Sequence, residues 1–130
     1  MPVPQAGFTL IELMIVVSVI LILISVAAPI YRTSIIRAKE AVLKDNLFTL
    51  RQLIEEYTLD KQKAPQSIED LVSAGYIREA PRDPFTGSNT TWEVIMEDTL
   101  QAADQTAPGI FDVKSGSDRI SLEGTPYNTW

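Results

Sequence analysis

The clearest candidate for chemistry in this sequence is one carboxylate, Glu12, at the start of a long uncharged segment. The nineteen residues from Leu13 to Tyr31 carry no charge and are rich in Ile, Val and Leu. A carboxylate inside a membrane-spanning helix costs roughly 2.5–3.5 kcal/mol at mid-membrane, less near the helix end, and normally has a partner. No basic residue lies within one helical turn of Glu12, so the available partners are an amino terminus or another molecule.

The composition excludes most other chemistry. The chain has 130 residues, eleven Lys+Arg against seventeen Asp+Glu, and neither Cys nor His. Without Cys there is no disulfide, thiolate nucleophile or Cys-ligated metal, and without His the commonest general base and transition-metal ligand is missing. The net charge of −6 also argues against a nucleic-acid partner, because phosphate backbones normally require excess positive charge. The absence of Cys and His excludes most familiar hydrolase and redox mechanisms.

The uncharged segment is long enough to cross a bilayer. Residues 8–31 would form a helix of about 36 Å, against a hydrocarbon core of about 30 Å. The alternative is a buried core helix, but a domain of this size could scarcely cover such a segment on all sides. The pattern predicts a membrane-inserted helix.

A second helical pattern follows the first without a break. More than thirty residues after Pro29 contain neither Gly nor Pro, and apolar residues recur among them at helical spacing. These residues are Ile36, Val42 or Leu43, Leu47, Leu50, Ile54 and Tyr57. The pattern predicts one rod-like helix from Phe8 to about Lys61, whose second half, residues 32–61, is amphipathic. Pro29 at the join predicts a kink or a locally looser stretch.

The charged residues of the segment 38–130 predict a water-soluble domain, within which residues 62–130 are predicted to form a globular part built from short elements. Ser67 followed by Asp70 resembles a capping box, and Gly75 is placed to end a short helix. Three segments are β-branched or aromatic and bounded by turn signals, namely 92–96, 110–113 and 119–122. The predicted fold class is α+β, with a long amino-terminal helix packed on a small antiparallel sheet and a short second helix.

The junction before the apolar helix has the features of a processing signal. Gly7 ends a short leader, Phe8 is bulky and apolar, and Glu12 stands four residues further on, before LMIVVSVILILI. This arrangement closely resembles the prepilin-type signal of the type IV pilins and of the pseudopilins of type II secretion, and implies a pilin-like fold. The resemblance implies that prepilin peptidase, a membrane aspartyl protease, cuts after Gly7 and methylates the amino group of Phe8. Residues 1–7 are then a cleaved leader.

Independently of the resemblance, the cost of a carboxylate in an apolar helix suggests an assembly role for Glu12 and Phe8, and Pro29 is the third candidate assembly residue. Cleavage would place the Phe8 amine about 6 Å along the helix from Glu12, where a partner on the next subunit fits better than a contact within one chain. The hypothesis is that Glu12 of an incoming subunit pairs with the Phe8 amine of the last subunit added. Pro29 would let the helix adapt as it leaves lipid for the filament core.

The second half of the chain resembles the major pseudopilin of type II secretion more loosely. The matching segments are Gly75-Tyr76-Ile77, Pro81–Phe85 with Thr86 inserted before Gly87, and Phe111–Ser115. Members of that family lack the carboxy-terminal disulfide of type IVa pilins and often bind Ca²⁺ in that loop, using six to eight oxygen ligands. The candidate ligands are Asp112, Ser117, Asp118 and Glu123, although the family's longer acid-dense loop is absent.

The function that this resemblance implies is a structural subunit, not an enzyme, that polymerises into a type II secretion pseudopilus and drives or supports protein export. The alternative within the family is a major or minor pilin of a type IV pilus. The implied partners are further copies of the chain, prepilin peptidase, an inner-membrane assembly platform and minor pseudopilins, with Ca²⁺ the one implied cofactor. The implied location is the bacterial cytoplasmic membrane, crossed once with the globular part in the periplasm, and a periplasmic or surface filament after assembly.

Two questions about the amino terminus stay open. A signal-peptidase site at Ser25-Val26-Ala27 would release a soluble binding domain beginning at Ala28, although Glu12 in the apolar core and the missing basic residues weaken that alternative. The leader has no Lys or Arg, whereas Arg32 and Arg37 lie at the opposite end, so the positive-inside rule does not predict the orientation. Either the sequence starts too late, or the free amino terminus and dedicated machinery suffice to set the orientation.

After the filament subunit and the secreted binding domain, the third alternative for the function is a membrane-anchored sensor domain.

Overall fold

The computed structural model describes residues 2–100 and 102–130. The chain divides into two compact units, one ending at Ile36 and one running from Arg37 to Trp130. Helix α1, Leu10–Lys61, contributes to both units, and the second unit also contains α2 (Ile68–Ser73), β1 (Glu93–Met96), β2 (Ile110–Lys114) and one 3-10 turn at Tyr127–Thr129. This order of elements confirms the predicted α+β class.

The predicted long helix is confirmed, with a start two residues later than expected. Helix α1 continues through Pro29 and ends at Lys61. The end has a local cause, because Gln62 has a left-handed φ of 56°, a conformation that terminates helices. The Gln62 side-chain amide also donates to the carbonyl of Leu59 at 2.6 Å.

The core of the second unit forms on the apolar stripe of α1. In the stripe Leu43 is fully buried, whereas Val42 is half exposed, so Leu43 is the residue that continues the helical spacing. The other buried members of the core are Leu47, Leu50, Ile54, Ile68, Leu71, Trp92, Ile110, Val113 and Tyr127. They come from both helices, the sheet and the carboxy-terminal segment, so the stripe binds these elements together.

Helix α2 has the predicted caps. The carboxylate of Asp70 accepts from the backbone N–H of Ser67 at 3.2 Å, which satisfies a donor at the helix start. At the other end Gly75 has a φ of +82° and donates to the carbonyl of Val72 at 3.1 Å. Both predictions about this helix are confirmed.

Within the part of the chain that the structure describes, the sheet has two strands, and the predicted third strand at residues 119–122 is wrong. Strands β1 and β2 pair antiparallel, with a bulge between Ile95 and Met96. Residues 119–122 instead form a turn with the residues that follow, because Ser121 donates to the Thr125 carbonyl at 2.8 Å and Tyr127 to the Arg119 carbonyl at 3.0 Å. The segment therefore satisfies its hydrogen bonds locally, through a single bridge between Ile120 and Pro126.

A tight loop fixes the segment that follows α2 to the end of β2. Asp83 is completely buried, and its carboxylate accepts hydrogen bonds from the N–H groups of Phe85 and Thr86 and from the hydroxyl of Ser115. The chain passes so close here that a Cβ built on Gly116 would lie 2.0 Å from the carbonyl oxygen of Thr91. The Asp83 carboxylate therefore joins the loop to the end of β2, and glycine at position 116 permits the close approach to Thr91.

Candidate processing and assembly site

The junction between Gly7 and Phe8 is open to another protein. Both residues precede α1, both are exposed, and Phe8 is 83% exposed. A Cβ built on Gly7 would meet nothing within 4 Å, so the fold itself does not require glycine at this position. A requirement for glycine there would have to come from the enzyme that cuts the chain.

Glu12 is hydrogen-bonded within its own chain, in a capping box with Thr9. The N–H of Glu12 donates to the Thr9 hydroxyl at 3.2 Å, and Oε2 of Glu12 accepts from the Thr9 N–H at 3.2 Å. Oε2 also accepts from the Thr9 hydroxyl at 3.4 Å. The box satisfies two of the free donors at the helix start, and the positive end of the helix dipole favours an acid there.

Cleavage after Gly7 would leave this capping box in place. The new amino group would belong to Phe8, so Thr9 would keep the amide N–H that Oε2 of Glu12 accepts. The bonds from Thr9 involve Oε2, so Oε1 of Glu12 can accept from a further donor. The capping role of Thr9 was not among the predictions from the sequence, although the spacing Thr-x-x-Glu is typical of a capping box.

The segment after Glu12 offers lipid an apolar surface with its hydroxyls satisfied. Helix α1 contains a stretch long and apolar enough to cross a membrane, judged by length and composition, and none of that stretch is buried. Ser18 donates to the carbonyl of Met14 at 2.7 Å, and Ser25 donates to that of Ile22 at 2.7 Å. Polar side chains in lipid need such internal partners.

The carboxy-terminal segment is held to α1 by a buried carboxylate. Oε1 of Glu40 accepts from the N–H of Leu122 at 2.8 Å and from the hydroxyl of Tyr127 at 2.9 Å. The Tyr127 ring stacks on Phe85 with centroids 3.8 Å apart. Burial, together with the hydrogen bond to Glu40, raises the pKa of Tyr127 to about 12.

Arg51 attaches α1 both to β2 and to the carboxy-terminal segment. Its guanidinium donates to the Asp112 carboxylate at 2.7 Å, to the Val113 carbonyl at 3.0 Å and to the Trp130 carbonyl at 2.6 Å. Glu40 and Arg51 thus bind the end of the chain at two positions on α1.

The four candidate calcium ligands are not gathered into an oxygen cage. Oδ1 of Asp112 is bound to Arg51, and Ser117 is buried, whereas Asp118 and Glu123 are exposed. Within residues 2–100 and 102–130, no group of three or more acidic side chains is placed to hold a metal ion. The arrangement does not fit the six to eight oxygens that Ca²⁺ requires, and calcium binding stays a prediction.

A calcium titration of the full chain in detergent tests that prediction. Because Asp112 is engaged with Arg51, we expect Ca²⁺ to leave the thermal unfolding midpoint unchanged, both in the natural chain and in Asp118→Ala. A midpoint that rises with Ca²⁺ in the natural chain, but not in Asp118→Ala, would show that the loop rearranges into a calcium site.

The phenol of Tyr127 makes stability depend on pH in the alkaline range. Its pKa is 10.0 in an ordinary setting and about 12 in the fold, so the folded state holds the proton more tightly than the unfolded chain. The resulting stabilisation is complete below pH 10 and declines as the pH rises from 10 towards 12. We therefore expect the urea concentration at the unfolding midpoint to decrease as the pH rises from about 10 to about 12.

Tyr127→Phe is the matched control for that pH dependence. It keeps the ring stacked on Phe85 and removes only the hydroxyl that donates to Glu40, so it should lower stability by about 1 kcal/mol at neutral pH. Part of the alkaline decline should remain, because a hydrogen bond to Asp60 raises the pKa of Tyr76 to about 12 as well. An unchanged decline in Tyr127→Phe would contradict the assignment to Tyr127.

Comparisons with known proteins agree with the geometry of the amino terminus. A family model described as the prokaryotic N-terminal methylation motif matches residues 4–28. The chain is 31% identical over 97 residues to the type II secretion system core protein G of Klebsiella pneumoniae, covering 62% of this chain and 69% of that protein. It is 44% identical over 62 residues to the type IV major fimbrial protein FimA of Dichelobacter nodosus, and the match covers 48% of this chain and 39% of that protein. It is also 35% identical over 126 residues to the type IV major pilin protein PilE1 of Neisseria gonorrhoeae, and that match covers 95% of this chain and 65% of that protein. No solved structure matches the chain significantly.

Proposed function

The chain belongs to the family of the type IV pilins and type II secretion core protein G, whose members are structural filament subunits and not enzymes, and we propose that it is a pseudopilus subunit. In this proposal the chain is cut after Gly7, methylated at Phe8 and polymerised into a filament that supports protein export. The observation that carries it is the exposed Gly7–Phe8 junction directly before a capped apolar helix that contains Glu12. The similarity to core protein G over 97 residues favours secretion.

The apolar part of α1 suits two environments. Before assembly its uncharged surface would lie in the cytoplasmic membrane, with residues 62–130 in the periplasm. After assembly the same surface would pack against the helices of other subunits. In the filament, Oε1 of Glu12 would accept from the Phe8 amine of the neighbouring subunit, while Oε2 remains with Thr9. Prepilin peptidase, an assembly platform and minor pseudopilins would be the partners.

Intact mass and amino-terminal sequencing of the protein from its own cells test the processing step. We expect a chain that begins with N-methyl-Phe8. Gly7→Val should stay uncut yet insert and fold, because Gly7 has open space around it; Ala6→Val, one residue further from the junction, is the matched control and should be cut. A chain beginning at Ala28 would instead identify a secreted soluble domain and overturn the proposal.

A surface pilus is the second candidate, because the similarity to PilE1 covers 95% of this chain. Deleting the gene in its own cells separates the two. Loss of exported proteins from the medium, with surface filaments unaffected, would support the pseudopilus. Loss of surface filaments with normal export would assign the chain to a pilus.

A further inference from the structure

The second unit carries an exposed aromatic side chain at one position and an apolar groove at another. Phe48, on the outer face of α1, is 66% exposed. Further along the helix, a groove of about 480 Å³ lies between α1 and β2. Its apolar lining consists of Ile54, Leu59, Ile110 and Phe111. Two of these, Leu59 and Phe111, are 65% and 70% exposed, so the groove presents apolar side chains to solvent.

The charges beside these two features are complementary. Lys44 precedes Phe48 by one helical turn, and Glu55 precedes Leu59 by one turn on the groove's edge. Both charged side chains are exposed. Lys44 lies over the ring of Trp130, 4.7 Å from its centroid, and forms none of the chain's described salt bridges. A second copy that places its Phe48 in the groove would therefore bring Lys44 towards Glu55.

We propose that Phe48 of one subunit inserts into the groove of a second copy of this chain, between Leu59 and Phe111, with Lys44 paired to Glu55 across the contact. This inference rests on the proposed filament and assigns part of its subunit interface. Because Phe48 is not part of the groove lining, the contact is heterologous. A heterologous contact produces an open filament when the rotation between copies does not close into a ring.

The positions on α1 also set the stagger between the two copies. The groove residues Ile54 and Leu59 lie six and eleven residues beyond Phe48. At 1.5 Å per residue, parallel copies must be displaced along the helix by about 9–16 Å. The longer displacement places Phe48 at the level of Leu59 and also places Lys44 at the level of Glu55, because both pairs are separated by eleven residues.

Disulfide cross-linking tests the contact in filaments assembled by cells. The chain contains no cysteine, so any cross-link comes from the introduced residues. Phe48→Cys combined with Leu59→Cys should give a ladder of dimers, trimers and higher multimers after mild oxidation. Val42→Cys combined with Leu59→Cys is the control, since Val42 is half exposed on the same helix but off the face of Phe48, and it should give no ladder.

Charge reversal tests the polar part of the contact. Lys44→Glu and Glu55→Lys should each lower the yield of filaments severalfold, and the double variant should restore it. Loss of the contact between Lys44 and Trp130 would not be repaired by Glu55→Lys, so restoration identifies the pair across the interface.

The remaining outcomes are equally decisive. Four results would each overturn the contact while leaving the proposed function intact. In the cross-linking experiment these are filaments that assemble without the ladder, dimers from Phe48→Cys alone, and cross-links only to other proteins. In the charge-reversal experiment it is a double variant that assembles no better than either single variant. Failure of the unsubstituted chain to form any filament would reject the proposed function, and this inference with it.

Discussion

Replacing Glu12 with Ala is expected to abolish filament assembly while leaving the subunit cleaved and inserted in the membrane. Glu12 is the only charged residue from Phe8 to Tyr31, and its removal would leave the neighbouring Phe8 amine unpaired among apolar helices. Breaking one partner out of a buried ion pair costs about 3–5 kcal/mol, which is roughly a hundredfold or more in the association constant of each contact. Because the contact repeats at every subunit, counting sheared filaments by electron microscopy should show almost none.

Two conservative variants separate the charge of Glu12 from its hydrogen bonds. Glu12→Gln keeps an oxygen that can accept from Thr9 but removes the charge, whereas Thr9→Val removes the capping hydroxyl and keeps the charge. If the pair with the Phe8 amine matters most, Glu12→Gln should fail to assemble and Thr9→Val should assemble with reduced yield. Normal filament numbers from Glu12→Ala would refute the assembly role altogether.

Features set by local sequence were predictable, and this explains the success with the helices. The uncharged segment, the apolar stripe ending near Lys61 and the caps of α2 at Asp70 and Gly75 all depend on neighbours within a few residues. The capping box of Thr9 and Glu12 belongs to the same class, because it depends on two residues three positions apart. The third strand failed because residues 119–122 had the right composition but satisfied their hydrogen bonds in a local turn.

The attachments of the carboxy-terminal segment could not be predicted because they join residues far apart in sequence. Glu40 lies 82 residues before Leu122 and 87 before Tyr127. In the sequence Glu40 is one more charge in an amphipathic helix, and nothing in its neighbourhood shows that it is buried. Arg51 likewise reads as a solvated residue, and Asp112 as a calcium ligand, until the fold brings the two within 2.7 Å.

Replacing Asp83 with Ala should unfold the second unit at a much lower temperature. Asp83 is completely buried, and its carboxylate accepts from the N–H of Phe85 at 2.8 Å, from the N–H of Thr86 at 3.4 Å and from the Ser115 hydroxyl. Alanine leaves these buried or half-buried donors without their acceptor, and each such loss costs about 1–3 kcal/mol. A loss of at least about 3 kcal/mol is a large part of a typical domain's stability of about 5–15 kcal/mol. Tryptophan fluorescence of the full chain in detergent reports this unit alone, because both Trp residues lie in it.

Asp83→Asn and Ser115→Ala show whether the carboxylate acts through its hydrogen bonds. Asparagine keeps one oxygen for the N–H of Phe85, and the Ser115 hydroxyl can rotate to accept from the new amide, so Asp83→Asn should recover most of the lost stability. Ser115→Ala removes one donor to Asp83 and should cost about 1–2 kcal/mol. If Asp83→Ala stayed within about 1 kcal/mol of the natural chain, the typical net value of a single hydrogen bond, Asp83 could not be what fixes this loop to β2. The join would then depend on the close passage of Gly116 against Thr91 and on the bond from the Trp92 indole to the Pro81 carbonyl.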